Sequence, residues 1–220
     1  MTSTDSVFYQ WRLGLLFCLL TLLAGCSSSY YNAMEKFGIE KRDILVDRID
    51  DTQEAQEDAK EQFVSALDKY RSVVNVDGGE LEDVYDQLND EYKRCEADAE
   101  KVRDRIDSVS SVAEDLFEEW EKEIGDFSNP SMARQSRTLL RETQAEYKTM
   151  YAAMKRAEAS MEPVLVMFQD QVMFLRHNLN ARAIGALKGE LSNIEQATAT
   201  LIADMEKSIN EASTFIDSMK

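Results

Sequence analysis

Apolar residues recur along most of the chain at alternating spacings of three and four positions. This spacing places them on one side of a helix, and we call each such row of positions a seam. Four helices are predicted: from about Asn32 to Val74, from about Glu80 to Ile124, from near Pro130 onward, and a last one with its seam from Ile184 to Met219. The predicted fold class is therefore all-α, an elongated antiparallel helical bundle or coiled coil of four long helices.

The second helix carries the strongest pattern. Twelve of its thirteen seam positions between Leu81 and Glu123 are apolar, and Cys95 is one of them. The first seam, from Leu45 to Val73, also contains the polar residues Thr52 and Gln56. A core is thus predicted almost residue by residue, with a few polar side chains inside it.

Breaks between the helices are marked by turn-forming residues. The segment 75–79 (Asn-Val-Asp-Gly-Gly) and Gly125 end the first and second helices, and Ser128-Asn-Pro130 begins the third. The seam passes through Pro163 in phase, which predicts a kink rather than a stop. A shift of phase at residues 177–180 predicts a further break; the alternative is three helices, the last one very long.

The first 25 residues have the organisation of an export signal. Arg12 precedes twelve mostly apolar residues, Leu13–Ala24, which are too few to span a bilayer as a helix. The following Leu23-Ala-Gly25-Cys26 resembles the lipobox of bacterial lipoproteins, which implies cleavage between Gly25 and Cys26 and lipid modification of Cys26. The predicted division is a signal peptide at 1–25, a lipidated tether at 26–31 and one helical domain at 32–220.

The same resemblance indicates a location. In Gram-negative lipoproteins a serine after the modified cysteine, here Ser27, favours sorting to the outer membrane, so we expect a lipid anchor there with the chain facing the periplasm. Several acyl chains on one cysteine hold a protein stably at a membrane. A terminal lysine, here Lys220, is joined to peptidoglycan in the major outer-membrane helical lipoprotein, but one shared residue supports that link only weakly.

The charge of the chain limits the classes of partner that it can bind, and its cysteine content limits the disulfides that it can form. The net charge is -17, and so acidic a surface repels nucleic acid and anionic lipid head groups. After removal of the signal and modification of Cys26, Cys95 is left alone, so no internal disulfide can form. A buried core thiol is the expected state of Cys95.

Catalytic patterns are lacking in the sequence. His177 is the single histidine, so the sequence cannot supply the histidine and cysteine ligands of a typical zinc site. Any catalytic cysteine–histidine pair would have to use His177. The eight glycines form no phosphate-binding loop. Seven acidic residues between Asp47 and Glu61 spread around the helix and indicate a solvated face. We expect no enzyme activity, no cofactor and no metal.

A candidate partner surface lies in the third helix. Between residues 164 and 175 apolar side chains point in nearly all directions, whereas a bundle helix normally hides one stripe. Such a stretch is either fully enclosed or exposed as a contact patch for a protein partner or a second copy. The candidate residues are Val164, Val166, Met167, Met173 and Phe174.

Three stretches carry a family resemblance: residues 30–49, beginning Tyr-Tyr-Asn-Ala-Met-Glu-Lys-Phe-Gly; residues 157–163, Ala-Glu-Ala-Ser-Met-Glu-Pro; and residues 175–181, Leu-Arg-His-Asn-Leu-Asn-Ala. They resemble a family of Gram-negative lipoproteins known as domain of unknown function 2959. The resemblance covers nearly all of the mature chain and implies lipoprotein class and helical character, without an activity. The expected function is a lipid-anchored, non-enzymatic periplasmic scaffold or partner-binding envelope lipoprotein; the alternative is a carrier or sensor of a small apolar ligand inside the bundle.

Overall fold

The structure, a computed structural model, describes residues 40–74, 81–178 and 181–219. In these ranges it contains four α-helices and no strand. The helices are α1 (Lys41–Val74), α2 (Leu81–Asp126), α3 (Pro130–His177) and α4 (Ala181–Met219). The all-α prediction with four helices is confirmed, while the part of the first predicted helix before residue 40 lies outside the described residues.

Contacts divide the chain into two compact units, Met1–Ile44 and Leu45–Lys220. Residues 40–44 are the described part of the first unit. There the backbone N–H groups of Asp43 and Ile44 donate to the carbonyl oxygen of Glu40 at 3.0 and 3.2 Å, which forms the first turn of α1. The second unit holds the packed helices.

Neighbouring helices of the second unit run antiparallel. Asp51 of α1 pairs with Arg105 of α2, and Asp58 of α1 pairs with Lys101 of α2, with N–O distances of 3.5 and 2.8 Å. Residue numbers therefore rise along α1 as they fall along α2. The other neighbouring pairs are reversed in the same way: Trp120–Ser136 and Arg103–Glu162 between α2 and α3, Glu146–Ser218 and Tyr147–Phe215 between α3 and α4, and Gln53–Ile209 and Tyr70–Leu187 between α1 and α4. This is the packing of an antiparallel bundle.

The predicted seams form the core. Every seam position of α1 from Leu45 to Val73 is buried, as are the central seam positions of the other three helices. Tyr70 of α1 reaches Phe168 of α3 across this core, edge to face, with ring centroids 6.1 Å apart. One predicted seam position, Glu123 near the end of α2, is exposed, and Ile124 is buried in its place.

The predicted helix ends are close to those observed. Asn129 caps α3, since its Oδ1 accepts a hydrogen bond from the N–H of Ser131 at 2.9 Å, with Pro130 in the first turn. Helix α2 continues through Gly125 to Asp126, and α3 continues through Pro163.

Helix α3 ends at His177, where the N–H of Asn178 bonds the carbonyl oxygen of Leu175 at 3.1 Å. The side-chain amide of Asn178 also donates to the carbonyl oxygen of Phe174 at 3.0 Å. These two bonds satisfy carbonyl groups that a helix end leaves open. The predicted break is therefore confirmed, and the alternative of one very long last helix is wrong.

Candidate contact surface

Three large apolar side chains near the C-terminal end of α3 are exposed to solvent. Val166 is 44% exposed, Met173 49% and Phe174 39%. At 100° per residue they share one sector of the helix, on the side opposite to the buried Met161 and Phe168. We call these three residues the apolar patch.

The other two residues predicted for this surface lie elsewhere. Val164 is fully buried, because it follows Met161 by three positions and precedes Phe168 by four, which places it on the core stripe. Its assignment to a partner surface is therefore wrong. Met167 is half-buried and lies at the edge of the patch.

Polar side chains lie both within the apolar patch and around it. Asp170 is exposed within it, and Arg176 and His177 are exposed in the last turn of α3. Toward the other end, the carboxylate of Glu162 pairs with the guanidinium of Arg103 at 3.0 Å. The patch therefore combines three apolar side chains with one charged side chain between them and polar side chains at its ends, and protein contact surfaces commonly mix apolar and polar groups in this way.

Basic side chains occupy the same outer side of α3 nearer its start. Five exposed residues fall within a sector of about 100°, and we call them the basic stripe: Arg134, Arg137, Arg141, Lys148 and Arg156. Within the described part of the chain, none of the five forms an ion pair; the guanidinium of Arg141 donates to the hydroxyl of Thr138 at 3.3 Å. The neighbouring Lys155 pairs with Glu158.

The net charge of the whole chain conceals this stripe. Between Pro130 and Arg156 the sequence holds six basic and two acidic residues, against a total net charge of -17. Counting charges separately along each predicted helix face would have found it.

Cys95 is buried at the contact between α1 and α2. Its thiol lies 3.8 Å from the carbonyl oxygen of Gln62, whose side-chain amide donates to the buried carboxylate of Glu91 at 2.6 Å. Desolvation, with a smaller contribution from the charge of Glu91, raises the pKa of the Cys95 thiol to about 12. A thiol that stays protonated is a poor nucleophile, and the prediction of a core thiol is confirmed.

Polar side chains also interrupt the core between α1 and α4. Thr52 is satisfied, since its hydroxyl donates to the carbonyl oxygen of Arg48 at 2.7 Å. Gln56, Thr198 and Ser208 are fully buried, and in the described part of the chain their side-chain polar atoms have no hydrogen-bond partner. Buried polar groups without a hydrogen-bond partner are destabilising. The presence of these three side chains therefore indicates that they have a functional role or fix the register of the helices.

The remaining predicted sites lie outside the described residues, namely Gly25 and Cys26 of the lipobox and the terminal Lys220. Across residues 40–74, 81–178 and 181–219, no group of acidic, histidine or cysteine side chains could hold a metal ion. No helix in these same ranges has the length and apolarity needed to cross a membrane.

The described residues define an all-α protein of the antiparallel bundle class. Its surface carries the apolar patch, which is exposed to solvent. The chain belongs to the family described as protein of unknown function (DUF2959), whose model matches residues 30–219. No curated protein and no solved structure matches it. The resemblance stated from the sequence is thus confirmed for the family, while lipoprotein character stays a prediction.

Proposed function

We propose that the mature protein is a lipid-anchored, non-enzymatic scaffold of the bacterial envelope that binds a protein partner or a second copy of itself. The anchor would be Cys26 at the outer membrane, with the chain in the periplasm. The observation that carries the binding role is the apolar patch, because Val166, Met173 and Phe174 are exposed on a helix whose core stripe is already complete.

The size of the patch indicates how such a contact would work. Covering the exposed part of each of the three side chains would contribute roughly 1 kcal/mol. A total of about 3 kcal/mol does not by itself hold two freely diffusing proteins together, given the entropy lost on association. Two proteins anchored in one membrane meet at a much higher effective concentration, so the lipid anchor and the patch support each other.

The experiment compares three glutamate substitutions in cells. Met173→Glu and Val166→Glu place a charge in the patch and should abolish crosslinking to the partner from a photoreactive residue at position 174. Thr149→Glu, at an exposed position of α3 outside the patch, should leave crosslinking unchanged. All three should keep their helical content and melting temperature, because exposed substitutions change stability little.

Two results would contradict the proposal. Unfolding of the purified Met173→Glu chain would show that the patch is packed inside the fold. Crosslinking that persists in both patch variants would show that the contact is made elsewhere.

A carrier of a small apolar ligand is the second candidate, and the side chain of Gln56 favours it. A buried amide without a partner in the described core is a polar group that could orient a ligand. In that case a solvatochromic dye should bind the wild-type chain, and Gln56→Met should weaken its binding while Gln53→Met should not.

A further inference from the structure

The basic stripe gives one side of an acidic protein a positive surface. Arg134 and Arg156 are 22 positions apart, so the stripe runs for about 33 Å along α3 at 1.5 Å per residue. The core residues Met154 and Ala157 lie on the opposite side of the helix. The whole stripe therefore faces outward from the bundle.

Screening decides which charges act at this surface. The Debye length is about 8 Å at physiological ionic strength, whereas a helix with its side chains is about 10 Å across. The acidic residues on the outer side of α1 lie across the core from α3, beyond that distance. The nearest acidic groups are on α3 and on its neighbours α2 and α4. Glu142 and Glu146 are exposed on α3 within the length of the stripe, and Glu146 accepts a hydrogen bond from the hydroxyl of Ser218 on α4. The charge of Asp107 on α2 acts on Lys155, and Glu158 and Glu162 are each paired with a base. Between Pro130 and Arg156 the basic residues still outnumber the acidic ones by six to two.

We propose that the basic stripe lies on the anionic phospholipid surface of the membrane that holds the lipid anchor. This inference rests on the proposed lipid anchoring of Cys26, which would hold the chain at a phospholipid surface. Guanidinium groups bind phosphate through paired hydrogen bonds. Four of the five side chains in the stripe are arginines, and three of these, Arg134, Arg137 and Arg141, lie in its first part. A second copy of the chain, with its acidic helix faces, is the competing occupant.

The expected strength follows from the number of charges. Each basic residue near an anionic membrane surface strengthens binding about fivefold. Neutralising Arg134, Arg137 and Arg141 should therefore weaken the contact about a hundredfold. On a tethered protein this contact sets the orientation of the bundle on the membrane rather than whether the protein is bound. Because the apolar patch lies on the same side of α3, about 15 Å beyond Arg156 at 1.5 Å per residue, the bundle must tilt away from the membrane at that end for the patch to reach a protein partner.

The test uses the acylated full-length mature protein, reconstituted in vesicles of phosphatidylcholine alone or with about one third phosphatidylglycerol. A fluorophore is attached to Ala145→Cys, exposed beside the stripe, or to Val64→Cys, exposed on α1, and phospholipids bearing a headgroup quencher report proximity. Because Cys95 is buried, the label goes to the introduced thiol.

We expect quenching at position 145 that requires phosphatidylglycerol and disappears in about 1 M NaCl, where the Debye length falls to about 3 Å. Position 64 should show none. The triple variant Arg134→Gln, Arg137→Gln, Arg141→Gln should lose the quenching, and the matched triple variant Lys93→Gln, Lys188→Gln, Lys207→Gln, which removes three exposed charges elsewhere, should keep it.

Equal quenching at position 145 in both kinds of vesicle, or equal loss in the two triple variants, overturns the inference. So does dissociation of a dimer by the stripe variant without an effect on quenching, which would identify a second copy as the occupant. A chain that carries no acyl group overturns the inference together with the proposed anchor. If Met173→Glu abolishes the quenching, the apolar patch faces lipid, and the protein contact proposed above is the part that fails.

Discussion

Replacing the buried Gln56 with methionine should stabilise the bundle. The Nε2 and Oε1 atoms of Gln56 have no hydrogen-bond partner in the described part of the chain, and the residue is fully buried. A buried polar group left unpaired costs roughly 1–3 kcal/mol. Methionine has similar length and flexibility, and a swap that conserves volume disturbs packing little.

The expected gain in the free energy of unfolding is therefore about 1–3 kcal/mol, which for a chain of this size raises the melting temperature by roughly 2–12 °C. Thermal and urea unfolding followed by circular dichroism at neutral pH measure it. The matched control is Gln53→Met, one turn earlier on α1. The amide of Gln53 donates to the carbonyl oxygen of Ile209 at 2.9 Å and to the hydroxyl of Ser213 at 2.8 Å, so this change should destabilise by roughly 1–2 kcal/mol.

Destabilisation by Gln56→Met as large as that by Gln53→Met would refute the reasoning, because it would show that the amide of Gln56 is hydrogen-bonded in solution. A gain in stability accompanied by mixed oligomers would have a different meaning. It would assign to Gln56 the role of fixing helix register at a cost in stability, as polar core residues do in coiled coils.

Three further predictions test the core, the alkaline stability and the anchor. Val102→Asp buries a charge in the seam of α2 and should lower the free energy of unfolding by roughly 3–5 kcal/mol, while Ser111→Asp on the exposed side should change it little; similar urea midpoints would mean that the register of α2 is wrong. Burial raises the pKa of Tyr70 above its usual value near 10, so Tyr70 ionises first in the unfolded chain, and this residue alone should lower the free energy of unfolding by about 1.4 kcal/mol per pH unit between pH 10 and 12. Cys95, Tyr92 and Tyr147, whose pKa values burial also raises, should add to that fall. Tyr70→Phe loses the hydrogen bond to the carbonyl oxygen of Leu187, 2.7 Å long, and should be about 1 kcal/mol less stable than wild type at pH 7 but more stable at pH 12; parallel pH profiles would contradict this. Cys26→Ala should abolish incorporation of a fatty-acid analogue in cells, and label that persists in this variant would exclude the assigned lipobox.

The core of the bundle could be predicted from the sequence because helical periodicity converts spacing directly into direction. The seam of α1 is buried at all of its predicted positions, including the polar Thr52 and Gln56. The prediction failed where a helix approaches its end, since Glu123 is exposed and Trp120 is only half-buried near the end of α2. Burial there depends on which neighbouring helices extend equally far, and periodicity contains no information on that.

The candidate surface could be predicted only in part. Helical angles place Val166 and Met173 away from the core, but the same angles place Val164 inside it, so grouping all the apolar residues of the stretch was an error of direction. The basic stripe was hidden by the use of a total charge. The molecule that covers the apolar patch or the basic stripe is a separate partner, and the spacing of residues in this chain carries no information on its identity.

The pairing of α1 with α4 has a consequence for how the chain is made. Tyr70 bonds a residue 117 positions away and Gln53 one 156 positions away, so the first helix finds its last neighbour only after nearly the whole polypeptide has been synthesised. A chain that emerges with its N-terminus first must carry the part of the α1 seam that faces α4 uncovered through that interval. Its vulnerability to proteases and chaperones is then set by the time the chain takes to be synthesised and exported rather than by the final stability, and a nonsense mutation anywhere before α4 would leave that vulnerable state permanent.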